Sequence, residues 1–211
     1  MDYSKKYKTE RKEVARFMRR LYSHGLTTTT GGNISLKVSD DLIAITPSGT
    51  DKGNVKWEEV GLITLSGENL TPHLKPSIES EVHLSIYRKK DTKAIVHAHP
   101  TFTTAFTAMN NKINIKLTSE ASAILSEPFF VPYAVMGSKK LAELVSESLG
   151  KSDILLLENH GVLTIGSNLV QAFDKVEVLE NAARMTLIVD FAGKKKSLSK
   201  EKIKEIEKLF K

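Results

Sequence analysis

The chain has 211 residues, 40% of them hydrophobic and 27% charged, which is enough apolar content for a buried core without staples. It has no cysteine, which excludes disulfides, thiolate metal sites and cysteine nucleophiles and leaves histidine and carboxylate as the only strong ligands for a transition metal. The net charge of +6 arises at the two ends, because residues 21–193 hold 15 basic and 19 acidic groups; lysine-rich ends of this kind read as solvated faces, not as the aromatic-interleaved basic surface of a nucleic-acid binder.

The first residues carry no apolar run of the kind a signal peptide has. Residues 10–24 are expected to be helical, with Val14, Phe17, Met18, Leu21 and Tyr22 on one stripe and Gly25 as the stop. The polar run from Thr27 to Gly32 reads as a loop. Strand-like segments follow at 34–38, 42–46 and 60–65, punctuated by Pro47, Gly49 and Gly53. Residues 77–89 look helical, with Ile78, Val82 and Ile86 on one side. Lys93 to His99 reads as a strand and Thr101 to Met109 as a helix. The longest uncharged stretch, Ala94 to Asn111, contains Pro100 and many threonines, so it is no membrane span. The expected compartment is the cytoplasm, with no membrane partner.

Further helices are expected near 119–126, 138–149, 168–192 and 199–210, and strands near 129–132, 153–157 and 161–165. Helices do not separate the strands regularly, which favours a mixed α/β sheet with antiparallel neighbours over a doubly wound one. No repeat or linker divides the chain, so residues 1–211 read as one domain.

Three segments carry chemistry. In Val96-His97-Ala98-His99-Pro100, residues two apart on a strand share a face, so His97 and His99 lie about 7 Å apart at the backbone and can turn both imidazoles to one divalent ion. In Leu157-Glu158-Asn159-His160-Gly161-Val162, a polar cluster joins two apolar strands, and His160 is the candidate third ligand. In Lys75-Pro76-Ser77-Ile78-Glu79-Ser80-Glu81, the acids would favour a first helical turn, and Glu79 is also a candidate carboxylate for the metal. Two glycine loops, Gly31-Gly32-Asn33-Ile34-Ser35 and Thr46-Pro47-Ser48-Gly49-Thr50, offer N–H groups and small polar side chains of the sort that cradle a phosphate, without a Walker A lysine.

Taken together, Gly-Gly-Asn-Ile-Ser, Thr-Pro-Ser-Gly, Pro-Ser-x-Glu, His-Ala-His-Pro and Glu-Asn-His-Gly resemble the class II aldolase/adducin family of the fuculose-1-phosphate aldolase type, over nearly the whole chain. The resemblance implies a three-layer α/β/α sandwich around a largely antiparallel sheet. It implies a C4 homotetramer with active sites between subunits. By position it makes His97, His99 and His160 the ligands of one divalent metal per subunit. Zinc is the family default, and manganese, cobalt and iron also suit the donors. It makes Glu79 the acid/base, and Gly32, Asn33, Ser48, Gly49 and Ser77 the phosphate cradle.

The implied reaction is cleavage of a ketose 1-phosphate, of the fuculose or 5-deoxypentulose type, to dihydroxyacetone phosphate and an aldehyde through an enediolate that the metal stabilises. No Schiff-base lysine is needed, so Lys75 and Lys93 read as surface or positioning residues. Alternatives within the superfamily are a methylthioribulose-1-phosphate dehydratase, for which Glu120 would be the acid/base, a pentulose-phosphate 4-epimerase, and decarboxylase relatives. A non-catalytic adducin-like domain would lack the histidines or Glu79, and all four are retained. Ile78 replaces a second serine of the family pattern, and the family's mid-chain tyrosine falls near Thr118. Its C-terminal tyrosine would fall just past Lys211, so the aldehyde is left open.

Overall fold

The computed structural model describes residues 3, 5–109, 111–193 and 195–210. Helix α1 (Lys8–Ser23) buries Val14, Ala15, Phe17, Met18 and Leu21 on one stripe, while Tyr22, expected on that stripe, is turned outward at its edge. Gly25 ends the helix with φ +68°, and the Leu26 N–H reaches back to the Leu21 carbonyl at 3.0 Å. The buried Arg11 ties α1 to the 57–59 turn, donating to the Val60 and Glu58 carbonyls at 2.9 and 3.0 Å.

Strands β1 (Asn33–Ser39), β2 (Leu42–Ile45), β3 (Gly61–Thr64), β4 (Ala94–Ala98), β5 (Phe129–Val131), β6 (Ile154–Leu157) and β7 (Gly161–Gly166) form one sheet. Its order among the described residues is β3-β2-β1-β4-β7-β6-β5. Every pair is antiparallel except β5 with β6. The expected mixed sheet with antiparallel neighbours is therefore present.

Side-chain alternation along the strands builds two cores. Ile34, Val96, Leu156 and Val162 face α1, α3 (Thr101–Thr107), α4 (Ser119–Ile124) and the long α6 (Leu169–Phe191). Ile95, Leu155, Leu163 and Ile165 face α2 (Ser80–Lys89) and α5 (Lys139–Glu147). The result is an α/β/α sandwich. Each fully buried aliphatic side chain in these layers contributes about 1.5–3 kcal/mol. The last helix, α7 (Lys200–Phe210), lies against α4 and buries none of its side chains fully. β4 occupies the middle of the sheet, and its pairing sets Asn33 opposite His97 on one side and Leu163 opposite His97 on the other.

Helix α2 begins at Ser80, three residues later than the sequence pattern predicts. The Ser77 carbonyl accepts both the Ser80 N–H at 3.0 Å and the Ser80 hydroxyl at 2.6 Å. That turn makes Glu79 the N-cap and leaves Ile78 outside the apolar stripe, 53% exposed. Glu81, the other acid of that segment, pairs with Arg88 at 2.5 Å on the surface.

Candidate metal centre

His97 is the penultimate residue of the central strand, fully packed, and its Nδ1–H donates to the Val162 carbonyl on β7 at 2.9 Å. That bond fixes the ring and leaves Nε2 free to act as a ligand. His99 lies two residues on, and its backbone N–H donates to the Leu26 carbonyl at 3.0 Å, tying the segment to the end of α1. The two side chains bring their Nε2 atoms to 2.9 Å from one another, as the two-residue strand period predicts.

His160 comes from the β6–β7 turn. Asn159 before it sits in the left-handed region at φ +53°, a conformation asparagine tolerates better than most residues. The His160 N–H closes the turn on the Leu157 carbonyl at 3.0 Å. The ligand atoms of His97, His99 and His160 all lie within 4.8 Å of one another. Two glycines make room for the His99 ring. A Cβ on Gly31 would stand 2.9 Å from His99 Nδ1, and one on Gly161 would stand 2.6 Å from His99 Cδ2.

Glu79 completes the cluster from the opposite layer. Its Oε2 is 3.2 Å from His97 Nε2 and its Oε1 is 3.5 Å from His160 Nε2. The Asn33 amide donates to Oε2 at 2.9 Å. Burial alone would raise the Glu79 pKa, but His97, His160 and Asn33 outweigh it and hold the carboxyl well below its usual range. Burial would likewise depress His97, but the Glu79 carboxylate reverses that and leaves it raised. Burial and the charge of His97 push His99 down to about 3 and His160 down to about 4, so both are neutral ligands near pH 7.

These donors fit a divalent ion of the zinc type. Three imidazole nitrogens converge, one is locked in the ligating tautomer by a backbone carbonyl, and a buried carboxylate stands beside them.

The candidate phosphate residues lie around the same end of the sheet. Gly32, at φ +65°, packs so closely that a Cβ added there would stand 2.8 Å from the His97 carbonyl oxygen. The loops carrying Ser48, Gly49 and Ser77 are zipped together: Pro47 bridges Pro76, and the Ser48 N–H donates to the Lys75 carbonyl at 3.0 Å. Ser77 Oγ accepts the Glu79 N–H at 3.3 Å. The Asn33 side chain is directed at Glu79, with its other amide atom on His83. Thr27 Oγ1, beside Gly31 and Gly32, and Thr50 Oγ1, beside Gly49, are buried with no hydrogen-bond partner. A buried hydroxyl without a partner is costly; one lies beside each glycine loop, and a third among the described residues, Thr104 Oγ1, lies in α3.

Sequence reasoning missed two buried residues next to this site. Lys52 is 1% exposed, and it ties the two loops together, Nζ donating to the Pro47 carbonyl and its N–H to the Thr29 carbonyl. His83 is fully buried on α2, between Asn33 and Ser35. Glu120 stands in the first turn of α4, capped by Thr118, and its charge acts on Asp174 of α6. Among the described contacts nothing joins Glu120 to the imidazoles. Lys75 and Lys93 are exposed, as expected of surface residues.

The family model described as the class II aldolase and adducin N-terminal domain matches residues 12–187. An L-fuculose phosphate aldolase of Methanococcus vannielii is 37% identical over 179 residues, covering 84% of this chain and 96% of that one. A 3-oxo-tetronate 4-phosphate decarboxylase of Haemophilus influenzae is 33% identical over 200 residues, covering 90% and 91%. Among solved structures, an L-fuculose 1-phosphate aldolase matches with a TM-score of 0.85 at 29% identity, covering 96% of each chain.

Proposed function

The chain belongs to the class II aldolase and adducin N-terminal domain family, and from that membership we propose how its residues work as a sugar-phosphate aldolase, a lyase. The observation that carries the reading is the convergence of three imidazole nitrogens and the Glu79 carboxylate at the end of the central strand. His97, His99 and His160 would hold one divalent ion per chain, and zinc is the reading we favour. Such an ion supplies Lewis-acid polarisation of the substrate's carbonyl and hydroxyl oxygens.

The other roles belong to the chain itself. Glu79, ionised and aimed by Asn33, takes a proton at the carbon next to the carbonyl of the three-carbon fragment and returns it in the reverse direction. Gly32, Ser48, Gly49 and Ser77 form the phosphate side, with the orphan hydroxyls of Thr27 and Thr50 beside them, while the Asn33 amide is engaged by Glu79 and His83. The substrate is a ketose 1-phosphate of the fuculose or 5-deoxypentulose type. Residues 1–211 act as one domain and assemble as a homotetramer with sites between subunits. No described helix is long and apolar enough to cross a membrane, and we place the enzyme in the cytoplasm.

The test is elemental analysis of the purified protein paired with a dihydroxyacetone-phosphate release assay over a panel of ketose 1-phosphates. One metal per chain, with release that a chelator abolishes, is expected. Metal without release from any member would overturn the substrate assignment. In Glu79→Gln, turnover should fall by about 100- to 10,000-fold while the metal stays bound. Normal turnover in that variant would remove Glu79 from its role.

A further inference from the structure

Glu79, His83 and Tyr87 stand four residues apart, so they share the inward stripe of α2. Asn33 and Ser35 stand two apart on β1 and share the face of the sheet that α2 covers. Four helical residues rise about 6 Å and two strand residues about 6.7 Å, so the two rows keep step. The side chains alternate between them in one continuous hydrogen-bonded chain. Asn33 Nδ2 meets Glu79 Oε2 at 2.9 Å, and His83 Nε2 meets Asn33 Oδ1 at 2.5 Å. Ser35 Oγ meets His83 Nδ1 at 2.6 Å and Tyr87 Oη at 2.9 Å. All five residues are buried, and His83 and Ser35 have no exposure at all.

The direction of the chain follows from its end. The Asn33 NH2 lies on the Glu79 carboxylate at 2.9 Å and its oxygen on His83 at 2.5 Å, which is the orientation a carboxylate acceptor selects. That oxygen must be met by a donor, which makes His83 the Nε2–H tautomer. Its Nδ1 then accepts from the Ser35 hydroxyl, and Ser35 accepts from Tyr87. Burial, with the charge of His97 adding to it, pushes the His83 pKa down to about 3, which agrees with the neutral ring this direction requires. Without a donor on its oxygen, the Asn33 amide has two orientations, and the flipped one sets oxygen against carboxylate.

We propose that His83 is a positioning residue: through the Asn33 amide it fixes which way the Glu79 carboxylate faces, between His97 and His160. The proposal rests on the aldolase reading of Glu79. His83 touches neither the metal ligands nor the space where substrate would sit, and it acts by holding Asn33.

The test compares His83→Met with His83→Gln. The two side chains have nearly the same shape, and only Gln offers an N–H at the reach of Nε2. In His83→Met, kcat should fall about 10- to 100-fold, the size expected for a displaced reacting group. KM should stay within about threefold and the metal at one per chain. Deuterium exchange from solvent into dihydroxyacetone phosphate, followed by NMR without any aldehyde, should fall in parallel. His83→Gln should recover most of both rates. Equal losses in the two variants, or a loss confined to KM or to bound metal, would overturn the proposal and leave His83 a packing residue.

Nitrogen-15 NMR of the histidines in the unmutated protein gives a second test that no folding defect can obscure. It should show His83 as the neutral Nε2–H tautomer, and an Nδ1–H ring would reverse the chain and overturn the proposal. If the unmutated enzyme neither cleaves ketose phosphates nor catalyses the exchange, the aldolase reading fails by itself, and the tautomer still decides the direction of the chain.

Discussion

Gly161→Ala is the substitution whose outcome the geometry constrains most tightly. Gly161 opens β7 and pairs with Leu157 of β6, one residue after the proposed ligand His160. An alanine Cβ there would stand 2.5 Å from the Ala98 carbonyl oxygen and 2.6 Å from His99 Cδ2. Ordinary contact begins at 3.4 Å, so the fit is short by roughly 0.9 Å against backbone. Either β7 moves away from β4 at this corner or the His99 ring swings aside. Both movements spread ligand nitrogens whose distances to a metal tolerate only about 0.2 Å. Overpacking of this kind costs about 1–3 kcal/mol of stability, and a disturbed ligand shell costs about 10- to 100-fold in metal affinity. The assay is competition for zinc against a chromophoric chelator, with thermal melts of the metal-free protein alongside. Gly150→Ala is the control: its φ of +90° strains an alanine, but nothing lies within 4 Å. It should cost about 1–2 kcal/mol and leave metal affinity unchanged. Wild-type affinity in Gly161→Ala would refute the claim that this glycine sets the position of His99.

Two further outcomes test other parts of the site. The double substitution His97→Ala, His99→Ala should remove the metal, and stoichiometric metal in the purified variant would overturn the ligand set. Burial, opposed in part by Glu59, pushes the Lys52 ammonium down to about 8 from 10.5. The unfolded chain therefore holds this proton more tightly than the folded one between those values, so stability should rise with pH across that window, by on the order of 3 kcal/mol. Denaturant melts of Lys52→Met should lack that rise, and an unchanged pH dependence would count against a buried, strained charge at this position.

What could be read from the sequence was what local spacing dictates. His97 and His99 meet because strand side chains repeat every two residues, and Gly25 ends α1 because it accepts a positive φ. The delayed start of α2 was hidden because Pro76 and Ser77 are good helix openers by themselves. The deciding contact, Pro47 against Pro76, comes from 29 residues earlier in the chain. The strand order was hidden for a similar reason. Strands β4, β6 and β7 are all apolar runs, and nothing local says that β1 lies beside β4 and brings Asn33 opposite His97. His83 carried a usable signal, since Glu79, His83 and Tyr87 repeat at four-residue steps. The apolar stripe through Val82 and Ile86 drew attention away from it, and Ile78, counted with that stripe, faces outward.

The charges of the cluster explain why one cation suits it. Glu79 is ionised, and His99 and His160 are held neutral. One positive charge therefore balances the group, and His97 Nε2, beside the carboxylate, is where a proton meets that need. A divalent ion held by the three histidines would take the same nitrogen in place of this proton and would have two further neutral donors. With such an ion in place of the proton, the cluster would carry a net charge of +1, favourable for an oxygen-rich anionic substrate. The neighbouring loops present glycine backbone and threonine hydroxyls, and their one buried ammonium, Lys52, is turned back onto the Pro47 carbonyl. Lys52 therefore supports the proposed phosphate loop from behind, and the hydroxyls of Thr27 and Thr50 are left without a protein partner. That division predicts that loss of Lys52 should weaken phosphate binding by loosening the loop, while loss of a ligand histidine should leave the loop intact and abolish the chemistry.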